Sequence, residues 1–412
     1  MVKQYLEVKE KYPDAILFYR MGDFYEMFFK DAIIASKILD ITLTSRDKNK
    51  EDSIPLCGIP YHAASSYIQK LVDQGYKVAI CEQMEEASKG KGIVRREVIR
   101  VITPGMVLED DYLQPKANNF LMAISLGEER FGLAILDAST GDFFATEVNT
   151  AQSLLDEVMR TEPKEIIFPE TAKEQAPAKH LMKAFPHALY SPLPPEVFDG
   201  ERSRERLKAF SLLPPEGKNQ ALQAVGAILF YVEETQKVQP GHLSRLEFYQ
   251  VQDYMVLDET TRKNLELFEN LATRSRKGSL LEILDETVTS MGGRMLKRWL
   301  SSPLMNLDKI NERLDKVSEL KEKDVSRQRL RENMRQVKDI ERLSARISLG
   351  IANARDLVAL ESSLNLLPEI KSIISPLEHE SFKRYLQELD ELPEIKDLLE
   401  RAIEDNPPIT LK

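Results

Sequence analysis

Cysteine, tryptophan and long apolar runs are scarce in this chain of 412 residues. Its two cysteines, Cys57 and Cys81, are too few for a disulfide framework or for a four-ligand zinc site. No apolar run approaches the roughly 20 residues that a membrane-spanning helix needs. The charged first 14 residues also lack the apolar core of a signal peptide. We therefore expect a cytoplasmic protein without a membrane partner.

The net charge of −10 weighs against nucleic-acid binding over the whole surface, because phosphate contacts require lysine and arginine. The charge is uneven, however: residues 1–104 contain 16 basic and 15 acidic residues, whereas residues 105–250 contain 14 and 22. Basic residues concentrate near the end of the first segment, at Lys89, Lys91, Arg95, Arg96 and Arg100. Such a group is either a solvated surface or a set of contacts to a DNA backbone. If any part of the chain contacts phosphate, composition favours this one.

Hydrophobic periodicity divides the chain into three regions. In residues 1–104, short apolar runs alternate with helical patterns, which predicts a small α/β domain. Residues 105–250 begin with a linker-like stretch at 109–119. An antiparallel strand meander, a helix and another strand are predicted next, with a proline-rich loop at 192–195, so this region is an α/β domain with a mixed sheet.

Residues 251–412 have helical patterns only, which predicts an all-α region. The last six residues, 407–412, leave this helical pattern for an extended segment, so we expect a truncated chain.

The segment RMGDFYEMFF at 20–29 concentrates aromatic residues where a strand is expected to give way to a helix. On one interpretation Asp23 is the helix N-cap, and Glu26, three residues later, completes a capping box. This leaves Phe24 and Tyr25 in the first helical turn without an assured core contact. On the other interpretation Phe24 is an aromatic wedge between DNA bases, and Glu26 accepts a hydrogen bond from a base edge.

Several motifs, in order along the chain, resemble those of the MutS mismatch-repair family of bacterial type. They are GDFYEMF at 22–28, GIPYHA at 58–63, VAICEQ at 78–83, REVIRVITPG at 96–105 and TSMGGRMLKRWL at 289–300. The Phe-x-Glu of the family's mismatch-recognition signature falls on Phe24 and Glu26. The matching order over nearly the whole chain makes the resemblance specific.

The resemblance implies three domains: a mismatch-recognition domain at 1–104, an RNase H-like connector at 105–250 and the first part of a helical core, or lever, at 251–412. It implies that Phe24 stacks on a mispaired or unpaired base of double-stranded DNA, that Glu26 hydrogen-bonds to that base, and that the DNA is kinked. It also implies a homodimer partner, recruitment of MutL, and a cytoplasmic, nucleoid-associated location.

The chain departs from the family pattern in that the sequence contains no G-x-x-x-x-G-K-[ST] phosphate-binding loop. Complete family members continue through a clamp to an ATPase. We therefore expect no catalytic, cofactor-binding or metal-binding residues in this chain, with ATP and magnesium bound only by the ATPase of a full-length member.

Two alternative functions are open. Asp137, Asp142 and Glu147 flank two expected strands of the connector, where an RNase H-type nuclease holds magnesium ions. Turn chemistry at 138–141 is the other explanation for the two aspartates. The second alternative is a MutS-like protein that binds other DNA structures, against which the presence of both Phe24 and Glu26 counts.

Overall fold

The computed structural model describes residues 2–45, 53–85, 94–212, 216–238 and 241–408. Two mixed β-sheets with associated helices occupy the first 250 residues, and the remaining described residues are mainly helical. The predicted succession of two α/β regions and a helical region is confirmed in this architecture. None of the helices in these ranges is both long and apolar enough to cross a bilayer.

The first sheet is antiparallel except for one central parallel pair. Its strands are β1 (Ala15–Met21), β2 (Phe24–Phe28), β3 (Thr44–Ser45), β4 (Pro55–Pro60), β5 (Lys77–Gln83) and β6 (Arg96–Ile102). Their spatial order is β3-β4-β2-β1-β5-β6, and β1 is parallel to β5.

Helices cover both faces of this sheet. They are α1 (Val2–Lys11), α2 (Phe29–Leu39) and α3 (Ala64–Asp73). Apolar residues of α2 and α3 share one core with the sheet, and α1 adds Tyr5 to a core on the other face. Because one core lies on each face of the sheet, side chains that point to either face of the central strand β1 are buried.

The second sheet contains the predicted meander. Its strands are β7 (Leu121–Leu126), β8 (Phe131–Asp137), β9 (Asp142–Val148), β10 (Glu165–Pro169), β11 (Leu189–Leu193) and β12 (Glu247–Phe248). The order is β11-β10-β7-β8-β9-β12, with antiparallel pairs within β7-β8-β9 and parallel pairs elsewhere. Pro192, predicted to lie in a loop, belongs to β11. An edge strand tolerates proline because one side of it needs no ladder hydrogen bond.

Four helices pack on the second sheet in the described residues. They are α4 (Ala151–Thr161), α5 (Ala176–Ala184), α6 (Gly200–Ala209) and α7 (Asn219–Gln236). The start of α7 approaches the sheet so closely at Gly132 that a Cβ there would lie 2.0 Å from the carbonyl carbon of Gln220. Glycine at this strand position therefore permits the buried helix to pack on the sheet.

The rest of the chain consists of short and medium helices. They are α8 (Glu259–Asn264), α9 (Leu280–Leu284), α10 (Ser290–Ser301), α11 (Leu307–Glu322), α12 (Asp324–Met334), α13 (Ile340–Ser348), α14 (Ala354–Leu364), α15 (Leu367–Ile374), α16 (Glu380–Glu388) and α17 (Pro393–Ala402). Side-chain caps fix several starts; Thr289, for example, accepts a hydrogen bond of 3.0 Å from the backbone N–H of Gly292.

The linker-like stretch 109–119 is held by buried cations of the helical region. Arg294 donates to the Pro115 carbonyl at 2.9 Å, and Arg342 donates to the carbonyls of Gln114 and Ala117 at 3.0 and 2.9 Å. Both arginines are buried. The Gln114 carbonyl also accepts from the backbone N–H of Ala117 at 3.2 Å, so the arginines add donors to a stretch that has few backbone hydrogen bonds of its own.

Candidate nucleic-acid interface

The Phe24 segment is a strand, and the helix-cap interpretation of Asp23 and Glu26 is wrong. Met21 pairs with Phe24 across a two-residue turn formed by Gly22 and Asp23, so β1 and β2 make a tight hairpin. Gly22 has a φ of +58°, which L-residues with a Cβ rarely adopt. Helix α2 begins only at Phe29, and its N-cap, Phe28, makes no side-chain cap hydrogen bond.

Phe24 and Glu26 lie on the same face of β2, because strand side chains alternate. Along this face Phe28 is covered by Tyr5, with ring centroids 4.9 Å apart, and Glu26 is half-buried. Phe24, at the start of the strand, is 49% exposed. On this face of β2, Phe28 is packed in the core, Glu26 is half-buried, and Phe24 at the strand start is exposed.

The neighbouring strand ends beside Phe24. Pro60 of β4 pairs with Phe24, and the backbone N–H of Tyr61 donates to the Asp23 carbonyl at 3.0 Å. Tyr61 is itself 42% exposed. Two large aromatic side chains therefore project near one end of the sheet, whereas the other aromatic side chains of this domain are buried or half-buried.

Arg20 ties this end of the sheet together. Its guanidinium lies over the Tyr61 ring at 3.5 Å, donates to the Gly22 carbonyl at 2.5 Å and lies 3.5 Å from a Glu82 carboxylate oxygen. The same carboxylate accepts a hydrogen bond from the buried Tyr25 hydroxyl. Burial, followed by the hydrogen bond and charge of Glu82, raises the pKa of Tyr25 above its usual value. These contacts restrain the turn that precedes Phe24.

Sequence reasoning did not single out Arg20, Tyr61 or Glu82 as parts of the site. Each lies within or beside a quoted motif, so the motifs were the available signal. Their convergence depends on pairing between strands that are distant in sequence, which local patterns do not reveal.

The five predicted backbone-contact residues differ in their surroundings. Lys89 and Lys91 lie outside the described residues. Arg95 is largely exposed and pairs with Glu97, and Arg100 pairs with Glu109. Arg96 donates to the Arg20 carbonyl at 2.7 Å and to the Val94 carbonyl at 3.0 Å. Arg96 therefore has a structural role next to the hairpin, and the role of all five in DNA binding stays a prediction.

The three connector carboxylates do not converge. Asp137 and Asp142 face each other across the β8–β9 turn, but Glu147 is five residues along β9 and projects from the opposite face. Asp137 is buried and accepts hydrogen bonds from Ser139 and Asn118 at 2.7 and 2.9 Å.

Glu147 binds the start of α7, accepting from the backbone N–H groups of Gln220 and Ala221 at 2.9 and 3.1 Å. These contacts give structural reasons for Asp137 and Glu147, and the geometry offers no support for a nuclease site. Among the described residues, no group of three or more His, Cys, Asp or Glu side chains could hold a metal ion.

Both cysteines are buried and unpaired with each other. Burial raises the pKa of the Cys57 and Cys81 thiols to about 12. Because the thiolate is the reactive form, neither residue is suited to nucleophilic chemistry at neutral pH.

Family models match three consecutive parts of the chain: MutS domain I at residues 1–111, MutS domain II at 119–244 and MutS domain III at 260–412. Similar curated proteins include the DNA mismatch repair protein MutS of Acetivibrio thermocellus, which is 42% identical over the whole of this chain and 48% of its own length. The protein of the same name from Myxococcus xanthus is 44% identical, over the whole of this chain and 47% of its own length. The chain thus spans about half the length of these relatives. It belongs to the MutS family and contains that family's domains I, II and III.

Proposed function

We propose that this chain recognises mispaired or unpaired bases in double-stranded DNA and thereby initiates mismatch repair, with Phe24 as the wedge and Glu26 as the base contact. The observation that carries the proposal is the position of the pair. A half-exposed phenylalanine and a carboxylate project from one face of β2, at the open end of the domain I sheet.

The wedge suits a mispair because a mispaired step unstacks at lower cost than a paired one. Stacking of a base on an aromatic side chain contributes about 1–3 kcal/mol. Glu26 can accept a hydrogen bond from a base edge, and its charge repels the phosphates of normal duplex. Stacking by Phe24 favours an unstacked base step, and the Glu26 charge disfavours normal duplex. Together these two effects would make mismatched DNA bind more tightly than matched DNA.

The assignment of the other regions follows from the same proposal. Domain II is the RNase H-like connector, and the helical region is the first part of the lever. The chain itself binds without catalysing a reaction. A second MutS subunit, MutL and an ATP-driven change of state are partners and steps of the full-length protein.

Substitution of the wedge tests the proposal. We expect Phe24→Ala to remove the preference for a duplex with a single mismatch over the matched duplex, because the stacking energy is lost. The matched control is Ile33→Ala, which also removes an exposed apolar side chain, but from α2 rather than β2. It should leave the preference for mismatched DNA unchanged. Affinities are measured by fluorescence anisotropy at fixed salt concentration. An unchanged ratio of the two affinities in Phe24→Ala would show that Phe24 is not the wedge.

A further inference from the structure

A cavity of about 540 Å³ lies where the linker, the second sheet and the helical region meet. Asn118 of the linker, Phe144 of β9, Trp299 of α10 and Arg313 of α11 are among its lining residues. Its volume falls within the range of small-molecule sites, which occur preferentially between domains. It is separate from the Phe24 face and has no part in the proposed wedge mechanism.

The lining of this cavity is basic although the chain is acidic overall. Six lysine or arginine residues and three carboxylates line it, in a chain of net charge −10. Three of the cations are already paired: Arg160 with Glu157 at 2.6 Å, and Arg262 and Lys297 with Glu162 at 2.6 and 3.4 Å. These pairs leave other cations at the cavity available.

Arg298 and Arg313 differ from those three cations in their hydrogen bonding. Their guanidinium groups lie over aromatic rings, Arg298 over Phe144 at 5.5 Å and Arg313 over Trp299 at 3.8 Å. Neither guanidinium donates a hydrogen bond to any residue that the structure describes. The ion-pair neighbour of Arg298 is Asp142, at 3.8 Å.

The two guanidinium groups are also electrostatically coupled. Burial lowers the pKa of Arg313; the charges of Tyr254 and Glu312 oppose this shift, and the charge of Arg298 adds to it. Two like charges, each held over an aromatic ring and with N–H groups that donate to no described residue, form a favourable environment for an oxyanion. A guanidinium edge matches the oxygens of phosphate in a bidentate arrangement, and stacking on a ring holds that edge in place.

We propose that this cavity binds a small phosphate-bearing ligand through Arg298 and Arg313. A phosphate monoester or a diphosphate carries the multiple negative charge that two arginines can share. The cavity volume matches a ligand of mononucleotide size, whereas a DNA duplex is far too wide to enter it. The site adds a ligand-binding function at the junction of the three domains.

The single tryptophan of the chain, Trp299, provides a direct reporter because it lines the cavity beside Arg313. Inorganic pyrophosphate and deoxyadenosine monophosphate are titrated separately into the purified chain, with tryptophan fluorescence and isothermal titration calorimetry as readouts. We expect saturable binding of at least one probe. Tighter binding of the nucleotide identifies nucleotides as the ligand source, and tighter binding of pyrophosphate identifies inorganic phosphates; either result supports the site.

Substitutions connect the binding to these two side chains. Arg298→Gln and Arg313→Gln should each weaken binding about tenfold or more, as expected for loss of a charge-assisted hydrogen bond. Arg202→Gln, at an exposed arginine of α6, is the matched control and should bind like the unsubstituted chain. Because Arg298 is partly exposed, we expect Arg298→Gln to fold. This variant can therefore test the proposal even if Arg313→Gln fails to fold. Absence of saturable binding by both methods, or equal affinity in Arg298→Gln and the control, would overturn the proposal.

Discussion

A β-strand projects alternate side chains to the same side, so Phe24 and Glu26 are neighbours on one face of β2. In a helical turn, residues two apart would point about 200° away from each other. The strand therefore places both side chains on the same side of the sheet. At the scale of single residues, the proposed function gives these neighbours two roles, stacking by Phe24 and discrimination by Glu26.

Removal of the Glu26 charge should narrow discrimination by raising affinity for normal duplex. We expect Glu26→Ala to bind matched DNA as well as or better than the unsubstituted chain, because electrostatic repulsion is removed. Glu26→Gln keeps the shape and a hydrogen-bond acceptor, so it isolates the effect of charge. Anisotropy titrations with matched and mismatched duplexes measure both variants. Weaker binding of matched DNA by both variants would contradict a repulsive role.

The salt dependence of DNA affinity should show whether Arg95 contacts the DNA backbone, a role different from that proposed for Phe24. Its side chain is 69% exposed and pairs with Glu97, an arrangement that phosphate can replace at low cost. If Arg95 contacts the backbone, Arg95→Gln should reduce the slope of log affinity against log salt concentration by about 1, for matched and mismatched duplex alike. Arg130→Gln, at an exposed arginine in the turn between β7 and β8, serves as the control. A slope equal to that of the control removes Arg95 from the interface.

At the scale of elements, the β1–β2 hairpin determines where Phe24 projects. Its turn contains Gly22 at positive φ, and Arg20 donates to the Gly22 carbonyl. Arg20 also stacks on Tyr61, so the turn is connected to the end of β4. A change in the turn is expected to affect the presentation of Phe24 as well as stability.

Substitution of Gly22 tests the backbone argument. No atom lies within 4 Å of a Cβ built at Gly22, so any loss of stability arises from conformation rather than collision. We expect Gly22→Ala to lower the free energy of unfolding by about 1–2 kcal/mol, the cost of a left-handed residue with a Cβ. Gly22→Asn should cost less, because asparagine adopts positive φ more readily. Urea denaturation measures both, and equal stability of the two variants would contradict this explanation.

Elements with strong local patterns were predicted well. The antiparallel meander predicted in residues 105–250 is confirmed as β7, β8 and β9, and the helical patterns after residue 250 are confirmed as α8 to α17. The segment 24–28 was misassigned because Asp23 and Glu26 have the spacing of a capping box, while its pairing with β4 involves residues 28 to 36 positions away. Tertiary pairing overrode a local signal that was compatible with a helix start.

At the scale of the whole molecule, the buried Glu165 connects domain I to domain II. Its carboxylate accepts hydrogen bonds from the Thr103 hydroxyl, the Gly105 N–H at 3.1 Å, and the hydroxyls of Ser191 and Tyr231 at 2.6 Å each. Thr103 and Gly105 belong to the segment that leaves the last strand of the first sheet. One side chain thus anchors the segment between the first sheet and the linker to the second sheet and to α7.

Loss of this carboxylate should destabilise the junction. In Glu165→Gln only one side-chain oxygen remains. It would have to accept the hydrogen bonds that two carboxylate oxygens accept in the unsubstituted chain. We expect the free energy of unfolding to fall by about 1–3 kcal/mol, the cost of an unsatisfied buried polar group. Glu170→Gln, at an exposed glutamate just after β10, is the control. Urea denaturation gives the stability, and limited proteolysis within 105–119 reports on the linker. A variant as stable and as protease-resistant as the control would show that Glu165 is not the anchor.

The amino-acid sequence by itself determined the membership of the MutS family, the two α/β regions followed by helices, and the residues Phe24 and Glu26 as the candidate pair. These features depend on ordered motifs and on local hydrophobic periodicity. Both can be read from a segment of sequence without knowing which other segments it contacts in the fold.

Tertiary structure alone decided that Phe24 and Glu26 share one strand face, that Arg20 and Tyr61 support it, and that the linker is bound by Arg294 and Arg342. It also decided that Arg298 and Arg313 meet at one cavity. Each of these arrangements joins residues far apart in the chain, and their proximity depends on strand pairing and helix packing that no local pattern specifies.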